Sequence, residues 1–138
     1  MKLGIVITGL GTGGAENHLL KVLPKLKIPL FVVSLTNLND IGKELENKGI
    51  KVYYLGLNKF NLLSVIKKYK NILRKEKPSV IDTYLIHANI FGRLFTPRKI
   101  KLINSVRGDY FNRNDFKFSK IVKFFDKITR KRVDLWAP

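Results

Sequence analysis

The sequence predicts an α/β domain built on a doubly wound parallel sheet. Three observations predict it: short apolar runs alternate with amphipathic segments along the whole chain, a glycine-rich loop follows the first of those runs, and the length suits one domain. With 138 residues, 45% hydrophobic and 11% aromatic, the chain is too apolar for disorder, despite 27 Lys and Arg against 10 Asp and Glu. A single domain over residues 1–138 is expected.

Residues 2–8 read as a short buried strand, 9–14 as a tight loop, and 15–26 as a helix with Leu19, Leu20, Leu23 and Leu26 on one side. Residues 30–36 form a second apolar strand, 41–48 a short helix closed by Gly49, and 50–55 a third strand. Leu62, Ile66, Tyr69 and Leu73 fall at i, i+4, i+7 and i+11 of a helix that ends before Pro78, with Lys67, Lys68, Lys70, Arg74 and Lys75 mostly facing away. Residues 80–84 then read as a fourth strand, 86–95 as a helix, 100–106 as a fifth strand, 116–132 as a long basic helix and 133–137 as the beginning of a sixth strand. Apolar strands joined by amphipathic helices make a parallel sheet covered on both faces, and right-handed crossovers make that sheet Rossmann-like. The sequence stops as the sixth strand is being completed, so the last elements are expected to be missing and another segment or chain to cover the sheet there.

Composition excludes several classes of chemistry. Without cysteine there are no disulfides, thiolate zinc sites or cysteine nucleophiles, and two histidines, His18 and His87, do not make a zinc site; no metal is expected. The most apolar stretch, residues 28–35, is interrupted by Pro29 and Ser34 and falls far short of the roughly 20 residues that span a bilayer. Residues 1–10 run into Gly11, Gly13, Gly14 and Glu16 rather than a small-residue cleavage site, so a cytoplasmic location is expected, with peripheral attachment at the inner membrane face. The net charge of +17 is uneven: residues 1–50 carry 6 basic and 4 acidic side chains, 51–100 carry 11 and 2, and 101–138 carry 10 and 4. Such a field attracts nucleic acid, anionic lipid or phosphorylated ligands alike.

The residues suited to chemistry follow the strands. Gly9-Leu10-Gly11-Thr12-Gly13-Gly14 matches G-x-G-x-x-G between a strand and a helix, where backbone N–H groups and the helix N-terminus can hold phosphate oxygens; a tight turn alone would also use these glycines. A dinucleotide site wants an acidic residue at the end of the second strand, and Ser34-Leu35-Thr36-Asn37 has none. His87 and Asn89 follow the fourth strand, where a histidine can accept a hydroxyl proton or orient a sugar, or else brace a loop. Arg107 follows the fifth strand and can stabilise phosphate or developing negative charge, unless it pairs with Asp109 or Asp82. No Asp-x-Asp pair is present to hold a metal-bound nucleotide sugar. In the 116–132 helix Phe118, Ile121, Val122, Phe125 and Ile128 form one stripe, opposed by Lys120, Lys123, Lys127, Arg130 and Lys131, with Phe124 at the boundary. That helix either lies on the sheet or docks to anionic lipid.

Gly13-Gly14-Ala15-Glu16, the segment from Pro78 to Leu94 containing His87-Ala88-Asn89 and Gly92-Arg93-Leu94, and Asn104-Ser105-Val106-Arg107-Gly108 together resemble the amino-terminal domain of glycosyltransferase family 4. The resemblance covers essentially the whole chain. It implies one half of a GT-B fold, with the acceptor bound mainly by this half, the nucleotide sugar mainly by a second, and transfer with retained configuration and no essential metal. The chain departs from the family pattern at Asp82, Tyr84 and Arg107, where many members carry histidine, and it lacks the carboxy-terminal donor domain with its Glu-x₇-Glu motif.

The resulting expectation is the acceptor-binding half of a retaining hexosyltransferase acting on a lipid-linked or polysaccharide acceptor of the cell envelope. A separately encoded donor-binding half would complete it. On this reading Gly13 and Gly14 face the donor phosphates; Tyr84, His87, Asn89 and Arg93 shape the acceptor side; Arg107 and His87 serve catalysis; and Lys120, Lys123, Phe124 and Lys127 face an anionic membrane surface. The alternatives are a non-enzymatic basic module binding nucleic acid or an anionic surface, and a dinucleotide-binding protein.

Overall fold

The computed structural model of the chain describes residues 1–105 and 116–137, with side chains at all of these except 116–119 and 122. Its strands are β1 (Leu3–Ile7), β2 (Leu30–Ser34), β3 (Lys51–Tyr54), β4 (Val80–Tyr84), β5 (Lys101–Ser105) and β6 (Leu135–Ala137). Its α-helices are α1 (Gly14–Val22), α2 (Asp40–Asn47), α3 (Leu62–Glu76), α4 (Ile86–Phe95) and α5 (Phe116–Thr129). The strands form one parallel sheet in the order β3-β2-β1-β4-β5-β6, the doubly wound arrangement that the alternating pattern predicts.

Side chains alternate across the central strands and build two cores. Ile5, Ile7, Val32 and Tyr84 point to the face covered by Leu19 and Leu23 and by Ile41 and Leu45 of α2. Val6, Phe31, Val33, Ile81 and Leu102 point to the other face, against Val65, Tyr69, Ile72 and Leu73 of α3 and Ala88 and Phe91 of α4. Both faces of β1 are thus buried, which is why it reads as an unbroken apolar run.

Element types agree with the pattern while their ends are shorter. The helix expected over 15–26 stops at Val22 and continues as a 3-10 turn, Leu23–Lys25, because Pro24 lacks an amide hydrogen and cannot continue the helical ladder. Leu26 is consequently 39% exposed. In α3 the buried stripe is Val65, Tyr69, Ile72 and Leu73, so Leu62, expected on the inner face, is an exposed first-turn residue. Gly49 closes α2 as expected, at φ 84, a left-handed position that suits glycine.

The last helix departs further from its apolar stripe. Ile121 (61%), Phe125 (40%) and Ile128 (54%) are exposed, whereas Asp126 and Thr129 turn inward and are buried. Asp126 Oδ1 lies 2.7 Å from Arg93 Nη1 of α4, with side-chain exposures of 6% and 1%. This buried ion pair fixes the inward face of α5 at Asp126 and Thr129, while Phe118 and Val122 of the stripe lie outside the described side chains. At the sheet edge, Asp134 accepts a hydrogen bond from the Leu102 amide at 2.8 Å and donates its own amide to the Leu102 carbonyl at 2.9 Å. The Leu102 amide, reinforced by Arg132, holds the Asp134 carboxyl below its ordinary value.

Candidate functional site

In this topology the strand order reverses between β1 and β4, the switch point beyond whose carboxyl ends parallel sheets offer a ligand crevice. Ile7, Tyr84 and Ser105 sit side by side as the register partners that end β1, β4 and β5. The glycine loop leaves β1 there, and α4 begins directly after β4. The Ala88 amide donates to Thr8 Oγ1 at 3.2 Å, tying the start of α4 to the end of β1. The loop is braced from the other side, since the Leu10 amide donates to the Leu38 carbonyl at 3.2 Å and the Ile41 amide to the Leu10 carbonyl at 2.9 Å.

The two glycines assigned to phosphate differ in what surrounds them. Gly13 is the extended residue before α1, and a side chain there would meet the carboxylate of Glu16, which folds back over it. Gly14 is the first residue of α1 and has open space where a side chain would project. Open space beside a helix N-terminus lets a phosphate oxygen approach the backbone amides closely. Glu16 is also the acidic residue of the first helical turn, where it complements the helix dipole.

The residues expected on the acceptor side separate into two groups. His87 is exposed on the first turn of α4, which begins directly after the carboxyl end of β4. Tyr84 is 8% exposed and packs in the core on the α1 side of the sheet. Asn89 and Arg93 turn away from solvent into a polar network beneath α4. Thr83 Oγ1 donates to Asn89 Oδ1 at 2.7 Å, Asn104 Nδ2 donates to Thr83 Oγ1, and Arg93 Nε donates to Asn104 Oδ1 at 2.5 Å. Arg93 also reaches the Asp126 carbonyl at 3.1 Å and Thr129 Oγ1 at 3.2 Å. The geometry therefore gives Asn89 and Arg93 positioning contacts that hold α4 against β4, β5 and α5. Arg107 lies outside the described residues.

Sequence reasoning did not single out Leu85. It stands between β4 and α4 at φ 75 and ψ 154, a region that only glycine occupies without strain. No residue type signals this position, because the conformation belongs to the one-residue joint between β4 and α4. Replacing Leu85 by alanine keeps the strain and loses packing, whereas glycine loses the packing and relieves the strain. Leu85→Gly is therefore expected to be more stable than Leu85→Ala by about 1 kcal/mol in urea unfolding, the reverse of the usual order. The opposite order would mean that the backbone here is relaxed.

Trp136 was also missed. Its ring lies on the α4 and α5 side of β6, with the Arg93 guanidinium carbon 4.9 Å and that of Arg130 6.0 Å from its centroid. Lys120, Lys123, Phe124 and Lys127 are all exposed on α5, Phe124 at 60%, beside the exposed Ile121 and Ile128. Among the described residues no helix is long and apolar enough to cross a membrane, and no cluster of three His, Asp or Glu side chains is placed to hold a metal.

No protein-family profile and no curated protein sequence matches this chain. Solved structures do match it in fold. HepE from Anabaena, solved in complex with UDP, superposes with a TM-score of 0.78 at 14% identity, over 99% of this chain and 37% of that one. A UDP-GlcNAc 2-epimerase from Methanocaldococcus jannaschii gives 0.66 at 19% identity, over 100% and 39%. A glycosyltransferase from Rickettsia africae gives 0.64 at 22% identity, over 99% and 36%. The chain thus spans less than two fifths of the length of these proteins. What is shared is the fold, a Rossmann-like sheet of the size of one half of a GT-B architecture.

Proposed function

We propose that this chain is the amino-terminal, acceptor-side half of a retaining, metal-independent glycosyltransferase of family 4 type. It works with a donor-binding half supplied by a separate polypeptide. The observation that carries this reading is the convergence of an open glycine-loop helix terminus at Gly14 and the exposed His87 on the two sides of one topological switch point. The fold neighbours named above, among them one holding UDP and one named as a glycosyltransferase, support the same class of substrate.

In this reading the amides at Gly13 and Gly14 approach the donor diphosphate and Glu16 swings aside to admit it. His87 orients or deprotonates the acceptor hydroxyl, Arg107 stabilises charge at the reacting centre, and Tyr84 supports the acceptor side from beneath. Asn89 and Arg93 act on the acceptor indirectly, by fixing α4. The exposed lysines and aromatic residues of α5 suit an acceptor presented at an anionic membrane surface.

The test is affinity purification of the chain from its native cells in mild detergent, with mass identification of stoichiometric partners and transfer assays before and after their addition. A second Rossmann-like polypeptide that confers nucleotide-sugar-dependent transfer on the pair is the expected result. Transfer by this chain alone would overturn the two-chain reading, and recovery of nucleic acid in place of a protein partner would replace the transferase by a basic binding module.

A further inference from the structure

A cavity of about 700 Å³ opens at the edge of the sheet opposite the crevice, where the chain enters β4 and β5. Four cations line it: Lys70, Arg74 and Lys77 from the carboxyl end of α3, at i, i+4 and i+7, and Lys99 from the turn before β5. Its remaining wall is apolar, made by Leu73, Pro78, Pro97 and Ile100, and among the described residues no carboxylate lines it. Glu76, the one acid of α3, is turned elsewhere, 3.8 Å from Lys2 and 3.6 Å from Lys51. Among the described residues none of the four cations lies within 4.0 Å of a carboxylate, and Arg74 donates only to Asn71, at 3.3 Å.

Helix-dipole complementarity accounts for cations in the last turn of α3, but not for Lys70, nearly two turns from the end, nor for Lys99, which belongs to another segment. The walls are also rigid. Tyr69 and Thr96 share a buried hydroxyl hydrogen bond of 2.7 Å that joins α3 to the turn carrying Lys99. Arg132 Nη2 donates to the carbonyls of Pro97 at 2.9 Å and Ile100 at 3.0 Å, clamping that turn. Lys77 itself stands at φ 51, a left-handed position usual for glycine, where a side chain carries a backbone cost.

Like charges converging on a preorganised concave surface repel one another, and an apolar wall strengthens that field. A bound anion relieves it. We propose that this cavity is a second ligand site, separate from the crevice by the length of the sheet, that binds a multiply charged phosphate, either a soluble polyphosphate or the phosphate of a lipid headgroup. Five-residue strands at about 3.3 Å per residue put roughly 16 Å between the two edges, so one ligand of modest size does not fill both.

The test uses the whole chain and two charge-matched double variants. Lys70→Gln with Arg74→Gln removes two cavity cations, and Lys67→Gln with Lys68→Gln removes two exposed cations of the same helix outside the cavity. Inorganic tripolyphosphate is titrated calorimetrically, and vesicles of phosphatidylcholine with or without one fifth phosphatidic acid are sedimented with each protein. The expected result is binding weakened at least tenfold by the cavity pair and less than twofold by the control pair. If the difference shows with tripolyphosphate the source is soluble, and if it shows only with acidic vesicles the source is a lipid. Equal losses in both variants, or no binding of either probe by the unaltered chain, would overturn the proposal.

Discussion

Asp126→Ala is expected to destabilise the domain by about 3–5 kcal/mol, because it takes a carboxylate 2.7 Å away from the Arg93 guanidinium, which is 1% exposed. Arg93→Ala is expected to cost somewhat less. After that change Asp126 still receives Arg130, through Nε at 2.9 Å and Nη2 at 2.7 Å, and Arg130 is itself largely exposed. The asymmetry follows from which charge is left buried. Removing both partners, as Arg93→Met with Asp126→Leu, is expected to be less damaging than Asp126→Ala, since an apolar pair of similar volume leaves no charge to desolvate. Urea unfolding followed by the fluorescence of Trp136 measures this directly, because the indole lies over the Arg93 guanidinium of α4 and loses that neighbour when β6 separates from α4. A loss below about 1 kcal/mol for Asp126→Ala would show that water reaches Arg93 and that the pair does not hold α4.

Gly14→Val is expected to separate folding from function. Among the described residues beyond its own helix turn, nothing lies within 4 Å of the position a Cβ would take at Gly14, so the melting temperature should hold or rise slightly. If the donor diphosphate approaches this helix terminus, the same side chain excludes it and removes a charge-assisted hydrogen bond of about 1.5–3 kcal/mol, or about 10–100-fold in kcat/KM of the completed enzyme. Gly13→Ala serves as the comparison. There the new methyl displaces only the flexible end of Glu16, so a smaller effect is expected. An unchanged kcat/KM in Gly14→Val, with the fold intact, would remove the glycine loop from the donor site and leave it as a turn.

Much of the candidate site was legible because topology follows from pattern. Once strands and helices alternate, the Gly9–Gly14 segment and His87 must fall at the carboxyl ends of neighbouring strands, and the register of Ile7 with Tyr84 bears that out. The direction of each side chain was not legible. Asn89 and Arg93 follow the fourth strand just as His87 does, yet helical geometry turns Asn89 inward onto Thr83 and Arg93 onto Asn104 and Asp126, residues 11 and 33 positions further on. A polar residue in a motif has the same sequence appearance whether it meets a ligand or a buried partner.

What the sequence determined by itself is the kind and order of the elements: apolar runs that must be buried on two faces form central strands, amphipathic segments form their cover, and proline and glycine set where helices stop, as at Pro24 and Gly49. These are local consequences of side-chain polarity and backbone freedom. Tertiary structure alone decided which face of α5 turns inward, that Leu85 takes a strained backbone, and that Lys70, Arg74, Lys77 and Lys99 meet around one cavity. Each of these depends on groups distant in sequence. The pairing of Asp126 with Arg93 sets the inward face of α5, the joining of β4 to α4 fixes a single dihedral, and the packing of α3 beside the turn before β5 gathers charges that the chain itself keeps apart.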